Sequence, residues 1–458
     1  MEPMSDPSST PALATTFDVG SRMVLDGTAG GRTGVIRTPH GDIATPAFIP
    51  VGTKATVKTL TPEQVRSTGA QAVLANAYHL YLQPGHDVVD AAGGLGEFMR
   101  WSGPTYTDSG GFQVMSLGVG FKKVIEMSAG TEPDDKATNK SQGRLAKVDE
   151  DGVTFTSHLD GSRHRFSPEV SMQIQHGLGA DILFAFDELT TLMNTRKDQE
   201  SSVERTRRWA QRCLDEHERL SLERTHRPGQ SLWGVVQGAQ FEDLRRQAVQ
   251  GLVEMSDRAE GQGRRGFGGY GIGGALEKEN LGTIVGWCTE ELPEDRPRHL
   301  LGISEPDDIF TAVENGADTF DCVAPTRLAR HGGIYTLDGR VNMTRAQFRH
   351  DHSPLDVEGP SEVSREYSRA YIHHLFKSKE FLGSTLLTLH NLAFVVRLVD
   401  EVRAAMDAGP DEYVAYKEQF LGRFYSGRGP GAEGGRGRGR GNRRPRPSRR
   451  GRPTPWLE

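Results

Sequence analysis

Two aspartates more than two hundred residues apart carry the residue types for glycosidic chemistry. Asp108 lies in Tyr106-Thr107-Asp108-Ser109-Gly110-Gly111-Phe112-Gln113, and Asp321 in Phe320-Asp321-Cys322-Val323-Ala324-Pro325-Thr326-Arg327. Each follows a short apolar or β-prone run and opens onto glycine, proline or small polar residues. An α/β enzyme places its reacting groups there, at the carboxyl end of a strand. A pair of carboxylates can act as nucleophile and as proton donor or acceptor in opening a glycosidic bond.

Other apolar runs end in the same way. Asp187-Glu188 follows Ile182-Leu183-Phe184-Ala185-Phe186, Gln237-Gly238 follows Leu232-Trp233-Gly234-Val235-Val236, and Gly273-Gly274 follows Tyr270-Gly271-Ile272. A single acidic residue after a strand is more often a helix cap than a catalyst. Their coincidence at successive strand ends favours one shared site. The chemistry suits a purine-like base. Asp187 and Gln237 can read ring N–H, amino and carbonyl edges, and the backbone at Gly273-Gly274 can approach closely because no side chain intervenes. Phe112 or Tyr106 could supply a stacking face, although a core role is commoner for either ring alone.

Positioning these groups requires strands that alternate with helices. Candidate strands cover 41–51, 71–76, 181–186, 231–236, 267–272, 299–303 and 317–320. Several are continuous apolar runs, as expected of strands buried on both faces. Amphipathic stretches at 201–214 and 305–316 fall between them, the second with Pro306 near its start and Gly316 at its end. Strand-then-helix order over roughly 250 residues predicts an α/β fold, a (β/α)8 TIM barrel. No Gly-x-Gly-x-x-Gly follows the first strand, which weakens a dinucleotide-binding alternative.

At 458 residues the chain has room for such a barrel with additions. No apolar run approaches the roughly 18 residues that span a bilayer. Residues 1–16 are rich in Ser, Pro and Ala, with no apolar h-region, so a disordered start and no secretion are expected. Cys213, Cys288 and Cys322 are an odd, widely spaced trio that suits a reducing cytosol and excludes a Cys-rich metal site. The net charge of −6 hides an asymmetry. From Ser426 to Glu458 there are ten arginines against Glu433 and Glu458, so this tail carries +8 and the remainder about −14. Arg436-Gly437-Arg438-Gly439-Arg440-Gly441 has no apolar face to bury, so 426–458 reads as disordered. Such a tail either meets nucleic acid phosphates or serves solubility.

The motifs together resemble those of a known family. Thr107-Asp108-Ser109-Gly110-Gly111-Phe112-Gln113-Val114-Met115, His158-Leu159-Asp160-Gly161-Ser162, Ala185-Phe186-Asp187-Glu188 and the Asp321 motif are similar to bacterial tRNA-guanine transglycosylase, the queuine tRNA-ribosyltransferase family. Tyr367-Ser368-Arg369-Ala370-Tyr371-Ile372-His373-His374-Leu375 and Leu389-His390-Asn391-Leu392 extend the likeness over roughly 17–405. It implies a barrel over 17–405 with an inserted subdomain at about 335–395, then a C-terminal helix at 406–425. It implies exchange of guanine at the wobble position of G-U-N anticodons for a 7-deazaguanine, 7-aminomethyl-7-deazaguanine in the first instance, on the way to queuosine. Asp321 would attack the ribose anomeric carbon, leaving a covalent ribosyl-enzyme, while Asp108 serves as acid and base. The base would be held by Asp108, Ser109, Gly110, Gly111, Phe112, Asp187, Gln237 and Gly274. RNA would meet Gly302, Ile303, Ser304, Glu305, Pro306, Asp307 and Asp308, and also Thr326, Arg327, Leu328, Ala329 and Arg330. Arg327 and Arg330 suit phosphate. The expected partners are tRNA and the deazaguanine base, in a cytoplasmic homodimer with no membrane. Alternatives are base exchange on DNA or with another deazapurine, or a catalytically silent RNA-binding partner subunit. Retention of both aspartates argues against silence. A hydrolytic glycosidase is disfavoured, because water must be excluded until the second base arrives.

Two departures from the family pattern stand out. The family holds a structural zinc through three cysteines before the Tyr-Ser-Arg-Ala-Tyr motif and a later histidine. Counting back from Tyr367, the cysteine positions fall on Gly359, Ser361 and Ser364, and only His390 remains. One imidazole with two serines is not a tetrahedral zinc site, so no metal or cofactor is expected and His390 reads as a hydrogen-bonded core residue. Secondly, Gly274 is followed by Ala275-Leu276-Glu277-Lys278-Glu279, where the bacterial pattern reads Leu-Ala-Val-Gly-Glu. Glu279 could still favour a cationic aminomethyl group. The segment 120–149 is long, polar and rich in Gly, Asp and Lys, and reads as a surface loop.

Overall fold

Strands buried on both faces favour apolar residues at nearly every position, and segments such as Ala47–Pro50, Ile182–Phe184 and Ser231–Val236 supply them. The computed structural model describes residues 13–119, 146–274 and 278–426. Its central sheet consists of β1 (Ala47–Pro50), β2 (Val73–Asn76), β3 (Thr105–Asp108), β4 (Ile182–Phe184), β5 (Ser231–Val236), β6 (Gly269–Ile272), β7 (Arg298–Leu300) and β8 (Thr319–Cys322). From β2 to β8 each strand pairs in parallel with the next, β8 pairs with β1, and a Val51–Leu74 bridge joins β1 to β2. The sheet is therefore a closed (β/α)8 barrel, as the strand–helix alternation predicts.

Side chains along the strands alternate between two packing layers, as the two-residue period requires. Ile49, Leu74, Tyr106, Ile182, Phe184, Trp233 and Val235 meet in the barrel interior. Phe48, Val73, Leu183, Leu232 and Val236 instead join the larger core with helical residues such as Trp209, Leu244 and Val399. An antiparallel sheet of Thr16–Met23, Gly31–Thr38 and Gly41–Thr45 adds Phe17, Ile36 and Ile43 to the interior cluster at the amino end. The stretch 41–51, expected as one strand, is thus two. Pro46 has no N–H to give the ladder, and the chain changes sheets there. The start of the chain also differs from expectation. Thr15 is buried and donates to Ser231 Oγ at 2.8 Å, and Thr16 already begins a strand.

Ion pairs fasten this amino end. Arg32 grips Asp318 through Nε at 2.9 Å and Nη2 at 2.7 Å, and the Arg298 amide reaches Asp318 Oδ2 at 2.7 Å. Asp181 accepts from the Thr105 amide at 2.8 Å and faces His40 Nδ1 at 2.6 Å.

Between β3 and β4 a second antiparallel sheet is inserted, made of Ala146–Asp149, Gly152–Thr156 and Arg163–Phe166. Of the expected 120–149 loop, 120–145 lies outside the described residues, and Ala146–Asp149 is a strand instead. The predicted 201–214 helix spans Arg196–Glu223 because a reciprocal Thr195–Asp198 capping box starts it earlier.

After β8 come the short helix Ala324–Arg330, the hairpin Gly333–Thr336 and Gly339–Asn342, and the helices Glu362–Glu366 and Arg369–Lys377. Helix Phe381–Ala408 then serves two cores. Leu386 and Leu387 pack with Ile334, Phe348 and Ile372 of the subdomain, while Leu392 to Met406 joins the barrel helices. This helix is long and apolar enough to cross a membrane, but 78% of its most apolar stretch is buried within the protein. The expected 406–425 helix begins later, at Pro410–Tyr425, because Gly409 adopts φ +134° and separates it from its predecessor.

Candidate active site

The mouth of the barrel is built from residues at or just beyond the carboxyl ends of its strands. Asp108 is the last residue of β3, and its carboxylate is caught by the end of β2. Ala77 N donates to Oδ1 at 2.9 Å, Gly110 N to the same oxygen at 3.2 Å, and Asn76 Nδ2 donates to Oδ2. Gly110 can donate because its φ of +79° turns the chain back, and a Cβ there would sit 2.9 Å from the Phe166 ring. Despite these donors, burial and then the charge of Asp321 push the Asp108 carboxyl up to about 7. The two aspartates highlighted by the sequence are therefore near enough at the mouth for the charge of one to act on the other.

Asp321 lies inside β8 rather than after it, one residue from the strand's end. Its Oδ1 is 3.1 Å from His299 Nε2 and accepts from Gly302 N at 3.3 Å. Among the described residues Oδ2 has no hydrogen-bond partner. His299 is buried in β7, and its Nδ1 lies 2.8 Å from Thr319 Oγ1. With its hydrogen on Nε2, the imidazole accepts from Thr319 and donates to Asp321. That orientation leaves the nucleophilic lone pairs of Oδ2 available.

Beside this pair lies a second polar cluster. Asp187 accepts from Ser109 Oγ at 3.1 Å and from Gln237 Nε2 at 2.6 Å. Burial, only partly offset by these two donors, raises its carboxyl to about 6. Gln237 Oε1 is buried and, among the described residues, has no hydrogen-bond partner. Gly274, at φ +85°, brings its backbone close to that oxygen, since a Cβ would lie 2.7 Å away. Gly111 likewise leaves room beside Asp187, whose carbonyl oxygen would be 2.9 Å from a Cβ. The result is a row of acceptors and backbone edges lacking side-chain cover.

Three supporting residues escaped the sequence reading. Asn76 and His299 orient the two aspartates. Arg245 is fully buried, donates to the carbonyls of Ala239, Val236 and Gly273, and so ties together the ends of β5 and β6. Burial lowers its pKa, and among the described residues its Nη2 has no partner. Nothing local marks His299, whose strand also carries Arg298, or Arg245. The two candidate stacking rings separate cleanly. Tyr106 is core, wedged between Phe184, Trp233 and His299. Phe112 is 38% exposed at the start of the helix after Asp108.

The two segments expected to meet RNA flank Asp321. Ser304, Pro306, Thr326 and Ala329 are buried, so their side chains face the protein. Gly302 and Arg327 are exposed, and Arg330 is half-buried with Nη1 on Thr326 Oγ1 at 3.1 Å. The acidic residues of the first segment are already matched. Lys278 pairs with Asp307 at 3.0 Å and Asp308 at 3.3 Å, and Arg340 pairs with Glu305. Residues 275–277 of the second departure lie outside the described residues.

Comparison with known proteins agrees with this geometry. Residues 26–426 match the family model described as queuine tRNA-ribosyltransferase. A protein of that name from Symbiobacterium thermophilum is 43% identical over 405 residues, covering 88% of this chain and 90% of the relative. Relatives so named from Pelotomaculum thermopropionicum and Fusobacterium nucleatum are each 42% identical, covering 87% and 90% of this chain and 96% and 99% of their own lengths. A closed barrel with both aspartates at the strand ends of its mouth, matched to these relatives along almost its whole length, makes the chain an enzyme of the queuine tRNA-ribosyltransferase family, a pentosyltransferase.

Proposed function

We propose that this enzyme replaces guanine at the wobble position of G-U-N anticodons with a 7-deazaguanine, the 7-aminomethyl base in the first instance, by double displacement. The observation that carries the reading is the Asp108–Asp321 pair: one carboxylate with an open oxygen, the other raised to about 7. Asp321 Oδ2 attacks the ribose anomeric carbon as the bond to guanine breaks, and Asp108 gives its proton to the leaving base. The incoming base then loses a proton to Asp108 and displaces Asp321, so two inversions give net retention. An acid with a pKa near 7 can donate and then accept at neutral pH.

Asp187 would accept N–H groups from the purine edge. Gln237, now spending its amide on Asp187, would turn or share it with the base carbonyl. A site of buried acceptors penalises ligands that lack those donors. Arg327 and Arg330 would meet phosphate beside the anomeric centre. The same proposal includes a cytoplasmic homodimer, supported by the family likeness. The test is incorporation of labelled guanine into unmodified tRNA carrying a G-U-N anticodon, alongside duplex and single-stranded DNA. Incorporation confined to the tRNA is expected, and labelling of DNA alone would overturn the substrate assignment.

A further inference from the structure

The family's zinc pattern, counted onto this chain, falls on Gly359, Ser361, Ser364 and His390, and the fold gathers these positions into one corner of the subdomain. Their chemistry does not fit zinc. Ser361 Oγ lies 2.7 Å from Ser364 Oγ, which lies 2.8 Å from His390 Nδ1. His390 Nε2 in turn lies 2.6 Å from the Tyr335 carbonyl oxygen. Ser364 and His390 are both 0% exposed. A carbonyl can only accept, so Nε2 carries the hydrogen. Nδ1 then accepts from Ser364, whose oxygen accepts from Ser361. Both imidazole nitrogens and the Ser364 hydroxyl are committed to one directional chain.

The spacing excludes a metal as firmly as the donors do. Thiolates at about 2.3 Å from a tetrahedral zinc stand roughly 3.7 Å from one another. The two hydroxyls here are 2.7 Å apart, with no room for an ion between them. At the first position a Cβ on Gly359 would lie 2.4 Å from Ser364 Cβ, so no side-chain ligand enters without moving backbone. Asp356 borders the corner and its buried Oδ2 lacks a partner among the described residues. With His390 it would make two strong donors, half of a closed tetrahedral set.

We infer that this enzyme is metal-independent, and that the chain Ser361–Ser364–His390–Tyr335 carbonyl closes the subdomain where relatives use zinc. The corner also reaches the barrel mouth. Asn391, next to His390, accepts from Tyr335 N at 3.1 Å and donates to the carbonyls of Pro325 and Gly333 at 3.0 and 3.1 Å. Tyr335 is therefore held at both backbone atoms. Through Pro325 the same helix fixes Ala324–Arg330, which carries Arg327.

The test uses the full-length protein purified from zinc-supplemented medium, with metal content by mass spectrometry and melting with and without phenanthroline. Less than about 0.1 zinc per chain and a Tm unchanged by chelator are expected, because the thiolates that bind structural zinc are absent. Ser364→Ala breaks the chain at its centre and should lower Tm by about 2–4 °C, with no recovery on adding zinc. About one zinc per chain, or a Tm that falls with chelator, would overturn metal independence. A Ser364→Ala variant melting with wild type would overturn the hydrogen-bonded closure. Neither readout depends on base exchange.

Discussion

At the amino end of the barrel, Asp181 and Asp318 are 1% and 0% exposed, and every carboxylate oxygen has a partner. At the carboxyl end, Asp108 and Asp187 are also partnered at both oxygens, but by neutral amide and hydroxyl donors alone, while Asp321 is partnered at one oxygen. Among the described residues neither Asp108 nor Asp187 meets a lysine or arginine at ion-pair distance, both carboxyls are raised, and Asp321 keeps one oxygen open. The side chain is the same; the partners differ. A buried carboxylate matched by a guanidinium organises a fold, whereas one held only by neutral donors, or with an oxygen left open, retains a proton or a lone pair for chemistry.

Exchanging the two ends' behaviour should be possible by mutation. Asp108→Asn removes the proton carrier and should lower exchange by about 10²–10⁴-fold. The same change should raise Tm above pH 7. The folded state disfavours the ionised Asp108, whose pKa is about 7 against an ordinary 3.8, so its destabilisation is present above pH 7 and vanishes below pH 4. A Tm advantage that grows as pH falls would contradict this. Asp318→Asn should do the reverse, costing about 3–5 kcal/mol by stranding Arg32, with turnover near wild type at low temperature. Thermal melts and initial rates at matched pH separate the two.

A middle case sharpens the contrast. His299 is as buried as Asp318, yet its Nε2 serves the mouth. As a positioning residue it should affect kcat more than binding. His299→Gln should reduce kcat by about 10–100-fold while KM for tRNA stays within about twofold. A matching rise in KM would mean that the histidine supports only the fold.

Strand-end aspartates were legible because a barrel delivers those positions to one rim whatever its sequence. The partners were not, since His299 and Asp321 meet only once β7 and β8 pair in a particular register. Element ends failed for local reasons. Pro46 cut one expected strand in two, and the cap at Thr195 lengthened a helix whose exposed face hid it. The missing cysteines were visible as letters, but the hydrogen-bond chain that replaced them required coordinates.

The smallest effect concerns the arginine-rich tail, whose residues from 427 onward lie outside the described residues. Its root is placed: Tyr425 donates to Asp307 at 2.6 Å, beside the segment proposed to meet RNA. Truncation after Tyr425 should raise KM for tRNA about 2–10-fold at low salt, leave kcat unchanged, and matter less as salt rises. Identical salt dependence with and without the tail would remove it from RNA binding.

The claim that Asp321 forms the covalent bond is tested most directly by trapping. Wild-type enzyme and Asp321→Asn are each mixed with unmodified G-U-N tRNA and resolved on denaturing gels. Wild type should give a protein–RNA band that added guanine discharges, and the Asn variant should bind the RNA without forming that band. A band of equal intensity from Asp321→Asn would assign the nucleophile elsewhere.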